Sequence, residues 1–281
     1  MTSVIAWIAQ VDKRRPEDDE RPSTRGSGLY FATDSRRTVE QTLPGGQIKE
    51  VLTDDCVKAF APAGTRDIFA FAGDATFPPA ALGKIETLLS GDTERFNAMD
   101  AYERSAEIFN ILKTDFDALL TKPTYEFWIL HGTRTGAMSG AEFHLFQYSY
   151  TFENPQLTYG IVQCDTEHSV ALERLGTGKA VVLSSVEATV KKSGTVSSSQ
   201  FSAFCDAVQG RTATQDKYSG GPIQLVGLLN INDAIHMGVV TPIGTYFRGS
   251  TSPPSNPKEF YWRNTTFENV DIDGSPRKNL K

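Results

Sequence analysis

The alternation of apolar and polar residues divides the chain into groups of strands and helices. Residues 2–11 alternate around β-branched and aromatic side chains and predict a strand. The apolar run 29–33 is short and is typical of a strand buried on both faces. Further strands are predicted at 56–60, 68–73, 125–131, 142–152, 157–163, 223–229, 236–240 and 245–248.

Helical spacing dominates two regions between these strands. Residues 78–89 predict one helix, and an apolar stripe predicts a longer one over 98–120. A third helix is expected after Gly178 and a fourth over 198–208. Strands and helices in segregated runs favour an α+β fold, with two sheets and helices outside them.

No shift in composition marks a linker, so residues 1–281 are predicted to form a single domain. A charged run within about 12–28 predicts a long solvated loop. The tail from about 250 is rich in Pro, Ser and Asn, and we expect it to be weakly ordered apart from 260–262.

Composition excludes several classes of function. The net charge is −6, and no basic stripe suited to nucleic acid is present. No apolar run approaches the roughly 20 residues of a membrane span. The cysteines Cys56, Cys164 and Cys205 form no metal-ligand pair and leave an odd thiol, which favours a reducing, cytoplasmic compartment. The four histidines share no metal-binding spacing, so neither a metal nor a cofactor is predicted; they are His131, His144, His168 and His236.

Thr2 is a candidate nucleophile. If Met1 is removed, Thr2 carries an α-amine and a hydroxyl on adjacent carbons. The amine has an ordinary pKa of about 7.7–8.0 and can accept the hydroxyl proton directly or through a water. Taken alone, Thr2 is equally the first residue of an ordinary strand, and the case for catalysis depends on motifs elsewhere.

Six short motifs occur in the order found in proteasome β-type subunits. They are Thr2-Ser3-Val4-Ile5, Ala32-Thr33-Asp34-Ser35-Arg36, Val57-Lys58, Ala72-Gly73-Asp74-Ala75, Gly176-Thr177-Gly178 and Asp216-Lys217-Tyr218-Ser219-Gly220-Gly221. Over about residues 2–230 the chain therefore resembles proteasome β-type and bacterial proteasome-like N-terminal-nucleophile hydrolases. The resemblance implies a four-layer αββα sandwich and a threonine-type endopeptidase that forms an acyl-enzyme on Thr2.

The resemblance also implies roles for the matched residues. Lys58 would stand near Thr2 as a cation that eases loss of the hydroxyl proton, and Asp34 would keep Lys58 charged. The backbone N–H of Gly73 would stabilise the oxyanion. Asp216 and Ser219 would orient the threonine amine.

Two further assignments come from the same resemblance. Thr177 stands where the family usually has serine and keeps the hydroxyl. The first specificity pocket would be lined by Arg37, Cys56, Phe71 and Ala75, with Phe71 favouring a small or flat substrate side chain. Cys56 as a catalytic thiol has no support from the motifs.

Three functions remain open from the sequence. The first is a peptidase that acts on peptides or unfolded proteins in a self-compartmentalised homo-oligomeric ring, with an ATP-dependent unfoldase as a candidate partner. The second is an N-terminal-nucleophile amidohydrolase acting on a small amide. The third is a catalytically silent ring or scaffold subunit. One observation argues against it, the joint presence of Thr2, Asp34, Lys58, Asp216 and Ser219.

Overall fold

We describe residues 3–10, 26–164, 171–193, 196–210 and 216–277 of a computed structural model of the chain. The strands are β1 (Val4–Gln10), β2 (Gly26–Thr33), β3 (Arg37–Thr42), β4 (Ile48–Thr53), β5 (Ala59–Phe60), β6 (Asp67–Gly73), β7 (Phe127–Thr135), β8 (Glu142–Tyr150), β9 (Thr158–Val162), β10 (Ala171–Leu175), β11 (Gln224–Leu229), β12 (Ala234–Thr241), β13 (Gly244–Tyr246), β14 (Tyr261–Asn264) and β15 (Asn269–Val270). The α-helices are α1 (Phe77–Gly91), α2 (Thr93–Ala98), α3 (Ala101–Asp117), α4 (Lys179–Ser193) and α5 (Ser197–Val208).

Two large sheets form the centre of the fold. One has the order β10-β1-β2-β11-β12-β14-β15, with β13 also paired to β12, and the other has the order β5-β6-β7-β8-β9. β1 lies between β2 and β10 and is antiparallel to both. Its first residue, Val4, is opposite both Thr33 and Leu175. The start of β1 therefore meets the end of β2.

β1 is continuously apolar because both of its faces are covered. Val4, Ala6 and Ile8 belong to a hydrophobic cluster that also contains residues of β6 in the other sheet. Ile5 and Trp7 point the opposite way, into a cluster with residues of α4 and α5. Alternate side chains of one strand thus bury apolar surface on two sides. Each Å² removed from water stabilises the fold by about 25 cal/mol.

The second sheet is covered in the same way on its far side. Phe69 and Phe71 of β6 join a cluster with Leu82 of α1 and with Ile108 and Leu112 of α3. The mixed α/β architecture expected from the pattern is confirmed at this level. Helices pack on one face of each large sheet, and the two sheets share the cluster between them.

The helix predicted over 98–120 is α3, which begins at Ala101 and ends at Asp117. The short helix α2 before it, which ends at Ala98, was not predicted. The Asp100 side chain accepts hydrogen bonds from the backbone N–H groups of Tyr102 and Glu103, and the Glu103 carboxylate accepts one from the N–H of Asp100. This capping box fixes the start of α3 just ahead of the apolar stripe, which by itself does not mark the first residue of a helix.

Two other segments differ from the prediction. Residues 37–53, where no strand was predicted, form the two-stranded hairpin β3–β4. In the tail after 250, expected to be weakly ordered apart from 260–262, β14 and β15 join the larger sheet and Trp262 is buried to 1% exposure. Gly238 of β12 makes room for this ring, because a Cβ there would lie 1.9 Å from it. The loop predicted at about 12–28 lies largely outside the described residues, and β2 begins within it at Gly26.

None of the helices in the described parts of the chain is both long and apolar enough to cross a membrane.

Candidate active site

The site begins at Ser3, just before β1. The Ser3 backbone N–H donates to Oδ1 of Asp34 at 3.1 Å, and Asp34 follows the last residue of β2. Antiparallel pairing of β1 with β2 brings these positions together, although 31 residues separate them in the chain. Thr2, the predicted nucleophile, lies outside the described residues; it is covalently joined to Ser3.

Asp34 and Lys58 form a completely buried ion pair. Nζ of Lys58 lies 3.0 Å from Oδ1 of Asp34, and both side chains are 0% exposed. Nζ of Lys58 also donates to the carbonyl of Arg36. A buried ion is tolerated only when it is paired and hydrogen-bonded, and both conditions hold for Lys58.

Two backbone N–H groups complete the surroundings of the Asp34 carboxylate. Its Oδ2 accepts from the N–H of Gly220 at 3.0 Å and from that of Arg36 at 3.3 Å. Burial raises the pKa of the Asp34 carboxyl, against the lowering effects of the Lys58 charge and of the N–H groups of Gly220 and Ser3. The Asp34 carboxyl therefore takes up a proton more readily than an exposed aspartate does.

A second cluster of hydroxyls joins Ser3 to Asp216. The hydroxyls of Ser219 and Thr177 both donate to Oδ2 of Asp216, at 2.8 and 2.9 Å. Ser219 has a single hydroxyl proton, which goes to Asp216. In the 2.7 Å contact between Oγ of Ser3 and Oγ of Ser219, the donor is therefore Ser3.

Gly178 permits this approach. A Cβ on Gly178 would lie 1.8 Å from Oγ of Ser3 and 2.6 Å from Oγ of Ser219. The Gly-Thr-Gly motif thus has two uses: Thr177 supplies a hydroxyl, and Gly178 leaves space for the serines. The structure brings together Asp34 and Lys58 around the N–H of Ser3, and Thr177, Asp216 and Ser219 around its hydroxyl.

Gly73 ends β6 in a conformation that excludes a side chain. Its φ is +101°, and a Cβ there would lie 2.0 Å from the carbonyl oxygen of Glu126. Gly73 and Thr177 both line a cavity of about 560 Å³. The predicted oxyanion donor thus borders open space beside the hydroxyl cluster.

The four predicted specificity residues separate into two pairs. Arg37 and Ala75 line a second cavity of about 310 Å³. Phe71 and Cys56, by contrast, are buried in the cluster under α1 and α3, at 0% and 5% exposure. Burial raises the pKa of the Cys56 thiol, which keeps it protonated and disfavours it as a nucleophile.

Sequence reasoning missed Gln224, the first residue of β11. Its side-chain nitrogen donates to the carbonyls of Asp34 and Cys56 and to the Ser35 hydroxyl. Its side-chain oxygen accepts from the N–H groups of Lys58 and Ala59. One buried amide therefore ties together the segments that carry both members of the ion pair, and no pattern in the sequence marks it.

The role of Arg36 was also missed. Its guanidinium binds both carboxylate oxygens of Asp54 and donates to the carbonyls of Lys217 and Ser219. The fork geometry of arginine suits such a two-point contact. Arg36 holds the Asp216–Ser219 turn against the strand end that carries Asp34. Its place in the Asp34-Ser35-Arg36 motif is the signal that could have identified it.

The described residues contain no group of three or more His, Cys, Asp or Glu placed to hold a metal ion. His131 is hydrogen-bonded to Asp67 and His236 to Glu86, while His168 lies outside the described residues.

Comparisons with known proteins find similarity among solved structures. No protein-family model and no curated protein matches the sequence. The chain is similar to the Anbu (Gly-1) mutant from Hyphomicrobium sp. strain MC1, at 14% identity and a TM-score of 0.45, over 84% of this chain and 87% of that chain. We therefore interpret the site from its own contacts.

Proposed function

We propose that the protein is a threonine-type endopeptidase that cleaves peptide bonds through an acyl-enzyme on Thr2. The observation that carries the proposal is the buried Asp34–Lys58 pair, whose Asp34 oxygen also holds the N–H of Ser3. Burying two charges costs several kcal/mol of desolvation each. This pair lies against the N–H of the residue that follows Thr2, so a nucleophile at Thr2 gains a fixed cation.

The chemistry balances with the groups of the chain itself. The Oγ of Thr2 attacks the scissile carbonyl, and its proton passes to the free α-amine of the same residue. The C–N bond then breaks, the leaving amine takes that proton, and an ester remains on Thr2. Water attacks the ester with the amine again as base, which releases the acid and restores the hydroxyl.

The other residues support these steps. Lys58 favours the deprotonated Oγ electrostatically, and Asp34 keeps Lys58 charged. The Gly73 N–H stabilises the oxyanion. Asp216, Ser219 and Thr177 hold the Ser3 hydroxyl and position the amine of Thr2. The cavity beside Arg37 and Ala75 receives the substrate residue before the cleaved bond.

The wider proposal concerns fold, assembly and location. The three hydrophobic clusters, one between the sheets and one under each helix pair, support a four-layer αββα sandwich. We propose a proteasome-like homo-oligomeric ring in the cytoplasm, acting on peptides or unfolded proteins with an ATP-dependent unfoldase as partner. Sedimentation of the purified protein tests the ring.

The test of the nucleophile is intact mass before and after treatment with an electrophile that requires a free N-terminal threonine. We expect loss of the Met1 mass and one adduct, located on Thr2 by peptide mapping. Thr2→Ala should abolish both adduct and turnover, because it removes the attacking oxygen while leaving β1 intact.

Ser3→Ala is the matched control, one residue along the chain. It should leave an adduct on Thr2 and reduce turnover only in part, because it removes a positioning hydroxyl. Full turnover by the Thr2→Ala protein would contradict the proposal. A mature wild-type protein that forms no adduct and cleaves neither peptides nor small amides would favour the silent subunit.

A further inference from the structure

A cavity of about 560 Å³ opens beside Gly73 and Thr177. It is separate from the cavity of about 310 Å³ lined by Arg37 and Ala75. The two share Tyr125 as a wall, and a small gap lined by Gly73, Ala75 and Tyr125 touches residues of both. A substrate lying across Gly73 would therefore meet a cavity on each side.

The larger cavity has a mostly apolar lining. Trp128 and Leu175 form part of its wall and pack against the hydrophobic cluster between the sheets. Tyr125 adds a second ring, and Phe152 adds a third. Aromatic rings contribute large apolar contact area and favour other rings in offset or edge-to-face arrangements.

Phe152 is unusual because it is 62% exposed although it is large and apolar. It is also held in place. Its N–H donates to the Glu126 carboxylate at 2.9 Å, and its ring packs edge-on against Tyr150 with centroids 6.2 Å apart. An apolar ring fixed in solvent at the edge of an apolar cavity is typical of a surface that a ligand covers.

The lining also carries charged residues. Glu126 and Glu173 supply two carboxylates, and Lys179 supplies one ammonium group. A charged side chain of either sign would lose its hydration among the rings, and an acidic one would also lie beside the two carboxylates.

We propose that this cavity binds the substrate side chain immediately after the cleaved bond and selects a large, uncharged, preferably aromatic residue. The inference rests on the proposed function, which assigns the Arg37 and Ala75 cavity to the residue before the bond. Successive side chains of an extended peptide point in opposite directions, so the two residues that flank one bond need separate cavities. The substrate is then an extended peptide rather than a small amide.

The first experiment compares internally quenched peptides that differ only in the residue after the bond, with Phe, Leu, Gly or Asp at that position. For the mature wild-type protein we expect kcat/KM to be at least about tenfold higher for Phe than for Gly, and lowest for Asp. Phe152→Ser should reduce the Phe-to-Gly ratio at least about threefold. Ile243→Ser is the matched control, because Ile243 is 67% exposed and lies outside the lining of this cavity; it should leave the ratio unchanged.

Equilibrium binding separates failure of this inference from failure of the proposed function. Calorimetric titration of the Thr2→Ala protein should show the Phe peptide binding more tightly than the Gly peptide. Equal affinities, or a preference that Phe152→Ser does not alter, would overturn the assignment of the cavity. Preferential binding without any turnover by the mature wild-type protein would instead overturn the peptidase and leave the cavity as a peptide-binding site.

Discussion

Two buried aspartates in this protein carry opposite pKa shifts. Asp34 pairs with Lys58 where β1 and β2 meet, and Asp67 pairs with Arg104 between β6 and α3. Both carboxylates are fully buried. Burial raises the pKa of Asp34, whereas the pKa of Asp67 lies below its ordinary value.

The partners of Asp67 explain the difference. Burial opposes ionisation there too, but the His131 hydrogen bond and the Arg104 charge together lower the pKa of the Asp67 carboxyl. Nη1 of Arg104 reaches both carboxylate oxygens, at 3.3 and 3.2 Å. In the described part of the chain, Asp34 forms one ion pair, with Lys58.

The proton positions around Asp67 follow from its neighbours. The Asp67 carboxylate is an acceptor, so Nε2 of His131 carries the proton across their 2.9 Å contact. Nδ1 of His131 lies 2.8 Å from the Tyr148 hydroxyl, which donates its proton to the carbonyl of Ser105 at 3.1 Å. His131, Tyr148 and Ser105 are all 0% exposed, among core side chains. A buried ion pair alone therefore does not mark a catalytic site. A substrate must also be able to reach the pair, and the neighbouring hydrogen bonds and charges must suit its role.

We expect the largest effect from breaking the Asp34–Lys58 pair. Lys58→Met removes the cation and preserves most of the side-chain volume. We expect kcat to fall by about 10²–10⁴-fold, because the nucleophile loses its electrostatic support. Peptide turnover per folded molecule, with circular dichroism as the check on folding, measures it. A loss below about fivefold would show that Lys58 stands away from the reacting atoms.

We expect the next largest effect from breaking the Asp67–Arg104 pair. Arg104→Met should lower the free energy of unfolding by about 3–5 kcal/mol, because it leaves Asp67 buried without its strongest cation. Urea unfolding measures the change, and turnover per folded molecule should stay the same.

Lys113→Met is the matched control for Arg104→Met, since Lys113 pairs with Asp117 on the exposed face of α3. This variant should lower the free energy of unfolding by less than about 1 kcal/mol. Equal costs for the two variants would contradict the structural role assigned to Arg104.

We expect the smallest effect in the pH dependence of stability, through His131 beside Asp67. Burial lowers the pKa of His131, so below the ordinary histidine pKa of about 6.5 the unfolded chain binds a proton that the folded chain resists. Stability should therefore be constant above that pH and fall as the pH drops below it, by up to about 1.4 kcal/mol per pH unit for this one proton. Thermal unfolding between about pH 7.5 and about pH 5.5 gives the slope.

His131→Gln isolates this contribution, because its amide can still donate to Asp67 but does not titrate. Its stability should decline less steeply with acid than that of the wild-type protein. Burial also lowers the pKa of His144 and of His236, so a residual slope is expected. Identical slopes for the two proteins would mean that His131 titrates normally.

Much of the fold could be predicted because the residue pattern of each strand indicates which of its faces are buried. Val4 to Ile8 and Ile68 to Ala72 are continuously apolar since each strand is covered on both faces. The β3–β4 hairpin was missed for the converse reason: its outward-facing residues, such as Glu40 and Lys49, carry little apolar pattern. β14 overlaps 260–262, the part of the tail expected to be ordered, but its pairing with β12 has no signal in its own composition.

The candidate site was partly predictable from residue types. Asp34, Lys58, Asp216 and Ser219 are chemically distinctive in their motifs. Gln224 and Phe152 are not, because a glutamine at the start of a strand or a phenylalanine in a turn has no meaning until its contacts are known. Phe71 and Cys56 are buried, which the sequence did not indicate, since matched positions in a motif do not reveal how far a side chain is exposed.

By itself, the sequence determined the local elements and the chemical types available to a site, because periodicity, turn residues and charge act over a few neighbouring residues. Only the tertiary structure decided that Oδ1 of Asp34 receives both the N–H of Ser3 and the ammonium group of Lys58, and that Ser3 and Ser219 meet beside Gly178. Those contacts join positions up to 216 residues apart. Strand register and packing between the sheets set their distances, and no local pattern encodes such distances.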